Sequence, residues 1–174
     1  MWAKLRPHFK GFPAQERIAQ LMVTHGLRVK EGGVYAGEIA LADSAIARAV
    51  GVDRRVVTAT LETIEKVPIL RDFFAKLWPV GHLGNVAPMM GWGAIEILPT
   101  NASKPGILAG TSAIIAEAGI SVRQVIVDDP EIVEDPKALI ITEKPVPERL
   151  LPRMKNLDGV RGVVILGASE TTSR

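Results

Sequence analysis

The sequence contains no cysteine. That excludes a disulfide framework, a thiolate nucleophile and any zinc site of the cysteine type. Aromatic residues are scarce, at 5% of the chain against 47% for all hydrophobic residues, so its cores must be built from Ile, Leu, Val and Ala. No run approaches the roughly 18 uncharged apolar residues that a membrane span needs. The first residues, Met1-Trp2-Ala3-Lys4-Leu5-Arg6, are charged and are followed by Pro7 and His8, which is unlike the apolar stretch of a secretory signal. A cytoplasmic protein without membrane contact is expected. Catalytic signatures are missing as well: there is no Gly-x-Ser-x-Gly and no Walker loop. His8, His25 and His82 lack the i, i+4 spacing of a shared metal site. Asp128, Asp129, Glu131, Glu134 and Asp135 lack the alternating ligands and central glycine of an EF-hand loop, and read as a solvated connection. The expectation is a non-enzyme with no metal and no cofactor.

What is present divides unevenly along the chain. Residues 1–90 carry 12 Lys/Arg and 8 Asp/Glu, a net of +4, whereas residues 91–174 carry 9 and 11, a net of −2. A basic half beside an acidic half hints at an anionic partner for the first. Between them, Trp78-Pro79-Val80-Gly81-His82-Leu83-Gly84-Asn85-Val86-Ala87-Pro88 holds two prolines and two glycines without periodicity, the mark of a linker or wing-like loop. The expected organisation is a first domain over 1–78, a linker over 79–91 and a second domain over 92–168.

The second domain has a simple rhythm. Ala94–Leu98 reads as a strand. A helix is expected from Pro105, with Ile107, Leu108, Thr111, Ile114, Ile115 and Ala118 on one face and Gly119 as its stop. Ser121–Val127 and Ala138–Thr142 are strands by β-branched and apolar content. Pro147 opens a second helix bearing Leu150, Leu151, Met154 and Leu157, and Val163–Leu166 closes the set. The order is βαββαβ, the ferredoxin-like arrangement, so the fold class is α+β. The third and fourth strands are apolar at successive positions, where a sheet with one wet face should alternate. A second subunit or the first domain is expected to cover that face.

The first domain reads as mostly helical. Pro13 to His25 places Ile18, Leu21 and Met22 on one face, and Leu27–Lys30 with Val34–Ala36 form a small hairpin across Glu31-Gly32-Gly33. Helices over Asp43–Val50 and Asp53–Lys66 are separated only by Gly51-Val52, and another follows over Pro68–Leu77. The central pair resembles a helix-turn-helix: Ala47 is small where the second helix crosses, Gly51 permits the sharp turn, and Val57 packs into the angle. Asp53 caps the second helix. Arg54, Arg55 and Thr58 are then left on the outer surface of a presumed recognition helix, within reach of phosphates or base edges. Two cations at a helix N-terminus oppose the macrodipole and are more easily understood if an anion arrives there.

Ser103-Lys104-Pro105-Gly106-Ile107-Leu108, between a strand and a helix, is similar to the Asp/Asn-x-Pro-Gly-x-Leu turn of ACT domains. Ala116-Glu117-Ala118-Gly119-Ile120-Ser121-Val122 matches the family's approach to its second strand, and the resemblance extends over the whole βαββαβ unit. It implies a paired domain that binds an amino-acid effector between copies. The ligand would touch Ser103, Gly106, Ile107 and Leu108 at the glycine turn and Ser121 and Val122 at the start of the second strand, often from the other copy. Gly106 lets the backbone approach a ligand, and free N–H groups at the helix start favour a carboxylate. Ser103 and Ser121 stand where the family often has Asp or Asn; serine is shorter and holds an ammonium group less well.

The domain order is similar to that of small prokaryotic, particularly archaeal, regulators. It implies an amino-acid-responsive, transcriptional regulator that assembles as a homodimer or larger, binds double-stranded DNA through its first domain and shifts population when the effector binds. The alternative is a regulatory subunit that docks on an amino-acid biosynthetic enzyme through the helical half.

Overall fold

The computed structural model describes residues 1–167 of the chain, so Ala168, the expected end of the second domain, lies outside the described residues. The chain divides into two compact units, with the break between Gly81 and His82. The first unit holds helices α1 (Trp2–Leu5) and α2 (Pro13–Thr24), strands β1 (Leu27–Lys30), β2 (Gly33–Ala36) and β3 (Ile39–Leu41), and helices α3 (Asp43–Val50), α4 (Arg54–Lys66) and α5 (Pro68–Phe74). A single 3-10 turn, Arg6–Phe9, follows α1 and stacks Phe9 on Trp2 at a centroid separation of 6.2 Å. Both rings are buried, as are Ile18, Met22, Ile64, Leu70 and Phe74. Each such side chain removed from water contributes roughly 1.5–3 kcal/mol, and together they form the core of this unit.

The hairpin turn is tighter than the sequence suggests. Glu31 (φ 51°) and Gly32 (φ 73°) are both left-handed, and Gly33 already pairs with Lys30, so the loop has two residues rather than three. Two consecutive positive φ angles are those of a type I′ turn, whose twist matches the flanking strands. The third strand β3 pairs Tyr35 with Ala40 and was not anticipated. The last helix stops at Phe74, three residues short of the expected Leu77.

The second unit carries β4 (Gly93–Pro99), α6 (Ile107–Glu117), β5 (Val122–Val127), β6 (Ala138–Thr142), α7 (Leu151–Lys155) and β7 (Val160–Ile165). The four strands form one antiparallel sheet in the order β5-β6-β4-β7, which makes β5 and β7 its edges. Alternation along β4 sends Ile95 and Ile97 to one face and Ala94 and Glu96 to the other. The first face forms a core with Ile114 and Ile115 of α6, Ile140 of β6 and Met154 of α7. The second helix is shorter than expected. Glu148–Leu150 is a 3-10 turn, and α7 proper begins at Leu151, with Pro152 accommodated in its first turn.

The opposite face of the sheet is apolar too, and part of its cover comes from the stretch read as a linker. Ala87 is fully buried against Ala94, Leu139 and Ile141, with Leu83 and Trp92 packed beside them. The Trp92 N–H donates to the Ala87 carbonyl (2.9 Å), and the Leu83 N–H donates to Gln124 Oε1 (3.0 Å). A 3-10 turn over Pro88–Met90 completes this segment. Residues 83–91 therefore belong structurally to the second unit, and the cover assigned to a second subunit or to the first domain is supplied in part from within.

Candidate functional site

The turn after β4 is built by local hydrogen bonds. Asn101 Oδ1 accepts from the Ser103 N–H (2.9 Å), and the Asn101 carbonyl accepts from the Lys104 N–H (3.1 Å). Such a side-chain-to-backbone loop is what asparagine supplies at turns. The Thr100 N–H and hydroxyl both donate to the Gly159 carbonyl, which ties the turn to the approach of β7. Lys104 Nζ pairs with Asp158 at 2.6 Å.

One expectation about this turn is corrected. The helix begins at Ile107, not Pro105, and its N-cap is Gly106 at φ 97°, ψ −19°, with no side-chain cap. Ser103 lies three residues ahead of that cap. The reason is Gly106 itself: its left-handed backbone redirects the chain only after the proline. A Cβ built on Gly106 would meet no atom within 4 Å, so the space above the turn is open. The first-turn N–H groups of Ile107 and Leu108 fall outside the helical ladder and face no helix partner. Ile107 itself is buried, so only its backbone can serve a ligand, whereas Ser103 and Leu108 are exposed.

Ser121 and Val122 lie elsewhere. Helix α6 separates them from Gly106, and its 11 residues span about 16 Å. One small amino acid cannot touch both ends of such a helix in a single chain. Around Ser121 there is an open cleft of about 420 Å³ lined by Leu83, Trp92, Ser121, Val122, Arg123 and Glu143. The Ser121 N–H donates to Glu143 Oε1 (3.3 Å), and the Arg123 guanidinium stands 4.2 Å from the centre of the Trp92 ring. Trp92, Arg123 and Glu143 were not identified from the sequence. They are brought together only by sheet pairing, and no local motif announces them.

The geometry of the α3–α4 pair follows from its caps. Gly51 is left-handed (φ 70°), and the Val52 N–H returns to the Ala47 carbonyl at 3.0 Å, the Schellman closure. Asp53 then caps α4 by accepting from the Arg55 N–H at 2.8 Å. Ala47 and Val57 are buried at the crossing of α3 and α4. Arg54, Arg55 and Thr58 are exposed, and neither arginine makes an ion pair among the described residues. The Thr58 hydroxyl leans toward Asp43 Oδ2 and the Arg54 carbonyl at 3.4 and 3.5 Å, long enough to be weak. Among the described residues no group of three or more His, Asp or Glu side chains is arranged to hold a metal ion, and no helix is long and apolar enough to cross a membrane.

No protein-family model matches the chain, and no curated protein matches it. Among solved structures, the chain is similar to an AsnC family transcriptional regulator from Agrobacterium tumefaciens, at 14% identity over 92% of each chain with a TM-score of 0.30. It is also similar to PH0061, at 14% identity over 77% of this chain and 84% of that one, with a TM-score of 0.28.

Proposed function

We propose that the chain is a cytoplasmic, amino-acid-responsive transcriptional regulator, with DNA bound by α3 and α4 and an effector bound by an ACT-type βαββαβ unit. The observation that carries the reading is the pair of exposed arginines, Arg54 and Arg55, which have no ion-pair partner among the described residues, on the first turn of a well-capped second helix. Positive charge there opposes the helix dipole, and an incoming phosphate relieves the conflict.

The effector half of the proposal draws on the open space above Gly106 and on the separation of Gly106 from Ser121 along α6. A site that uses both ends needs two copies, with the glycine turn from one and the β5 start from the other. The carboxylate would take the N–H groups at the start of α6. Effector binding would then favour one geometry of the pair and set the spacing of its two α4 helices.

The test is fluorescence anisotropy on a labelled DNA duplex across a series of salt concentrations. Phosphate contacts require affinity that falls steeply with salt. Binding that is absent, or indifferent to salt, overturns the DNA half and favours docking on an enzyme through the first unit, where Phe12 and Ile39 are exposed.

A further inference from the structure

The register of β5 against β6 slips once. Val122 pairs with Thr142 and Gln124 with Ile141, so Arg123 is an extra residue in the ladder. A bulge of this kind re-aims a side chain. Gln124 accepts from the Leu83 N–H on the sheet's outer face, and strict alternation would send its neighbour to the other side. The bulge instead lays the Arg123 guanidinium over Trp92, 4.2 Å from the ring centre.

A guanidinium that stacks by its face keeps its N–H edge for an anion. Nearby, Glu143 is fastened to Ser121. Its Oε1 accepts from the Ser121 N–H at 3.3 Å, and its own N–H donates to the Ser121 carbonyl at 3.0 Å. Arg123 and Glu143 line one open cleft of about 420 Å³, yet neither has an ion-pair partner among the described residues. That volume falls in the range of small-molecule sites, roughly 300–1,000 Å³. Leu83, Trp92 and Val122 give the cleft its apolar wall, and all six lining residues belong to the second unit. Opposite charges that share a cleft without meeting suit a ligand that carries both, a cationic group for Glu143 and an anionic one for Arg123.

We propose that this cleft selects an effector with an anionic side chain, L-glutamate or L-aspartate, with Glu143 holding the ammonium group and Arg123 the side-chain carboxylate. The assignment rests on the effector site proposed for the second unit, where the α-carboxylate is taken at the start of α6. A neutral amino acid then has nothing to offer Arg123. It would cover the cation without pairing it, and a polar group left unpaired on binding discriminates strongly against such a ligand.

The test is titration calorimetry on the full chain. The ligands are L-glutamate and L-aspartate, their amides, L-leucine, and the diacids glutarate and succinate, which lack the ammonium group. One acidic amino acid should bind at least about tenfold more tightly than its amide, its diacid or L-leucine. Arg123→Gln should bring the ratio of acid to amide below about twofold, and Arg123→Lys, which keeps the charge, should retain more of it. Glu143→Gln should collapse the ratio of acidic amino acid to diacid in the same way. Ratios taken within one variant cancel any general loss of folding. An amide or L-leucine that binds as tightly as the acid overturns the selectivity; if Gly106→Ala abolishes that binding, the effector site stands without it. Ratios in the Arg123→Gln and Glu143→Gln variants that match the parent's overturn the two roles. Absence of binding by both acids overturns the assignment, and absence of binding by all twenty amino acids removes the effector site with it.

Discussion

The Arg123 guanidinium stands 4.2 Å from the centre of the Trp92 ring, bridging the start of β5 to the segment that covers the sheet's outer face. At an exposed site this stacking contributes about 0.5–1 kcal/mol. Arg123→Ala should lower unfolding stability in urea by that amount, and Arg123→Lys by less. A ring without its cation also leaves one wall of the Ser121 cleft loose. Any effector that uses this cleft should give a smaller thermal shift in the alanine variant.

Gly106→Ala separates backbone geometry from ligand contact. No atom stands within 4 Å of the added methyl, so its cost comes from the φ of 97° alone. Scanning fluorimetry without ligand should show a loss of more than about 1 kcal/mol. The methyl also enters the open space where a carboxylate would approach, so a thermal shift given by any of the twenty amino acids should disappear. A variant that loses stability yet keeps the full shift places the effector elsewhere.

Changing Arg54 and Arg55 together to Ala should leave stability within about 0.5 kcal/mol, because both are exposed and have no ion-pair partner among the described residues. Each phosphate contact contributes about 0.9 to the slope of log affinity against log salt. The double variant should therefore flatten that slope by up to about 1.8. Asp53→Ala is the control from the same turn: it removes the cap seen at 2.8 Å and should cost about 1 kcal/mol of stability.

The β5 edge offers a test of assembly. Val122, Val125 and Val127 are each more than a third exposed along a strand with one unpaired side. Exposed edges of this kind invite another strand, and a lysine on the edge discourages it. Light scattering should find a dimer or larger for the parent chain at tens of micromolar, and a smaller species for Val125→Lys. A monomeric parent would leave the Gly106 and Ser121 half-sites permanently apart.

Much of the fold could be read from the sequence wherever the signal was local. The bounds expected for α3 and β6 are those observed, because helical caps and β-branched runs act over a few residues. Asp53 and Gly51 announced their roles for the same reason. What escaped depends on contacts between distant residues. The three residues of β3 are too few to show a period, and only pairing with β2 makes them a strand. The segment from Leu83 to Trp92 has no periodicity at all, yet Ala87 is fully buried because the sheet's second face needs a lid. The cleft of Trp92, Arg123 and Glu143 joins three elements that only the sheet brings together. Gly106 was legible as a special glycine, but its place ahead of the helix rather than inside it was not, since proline at a first helical position is the commoner pattern.

The lid over the outer face also decides where the chain can be cut. A fragment begun at residue 92 would strip Ala87 and Leu83 from Leu139 and Ile141, leaving a bare apolar sheet between two edge strands. Such a surface is prone to self-association, and that fragment should precipitate as it is concentrated. A fragment begun at His82 keeps the lid and should stay in solution, which makes ten residues of irregular chain the difference between a usable domain and an aggregate.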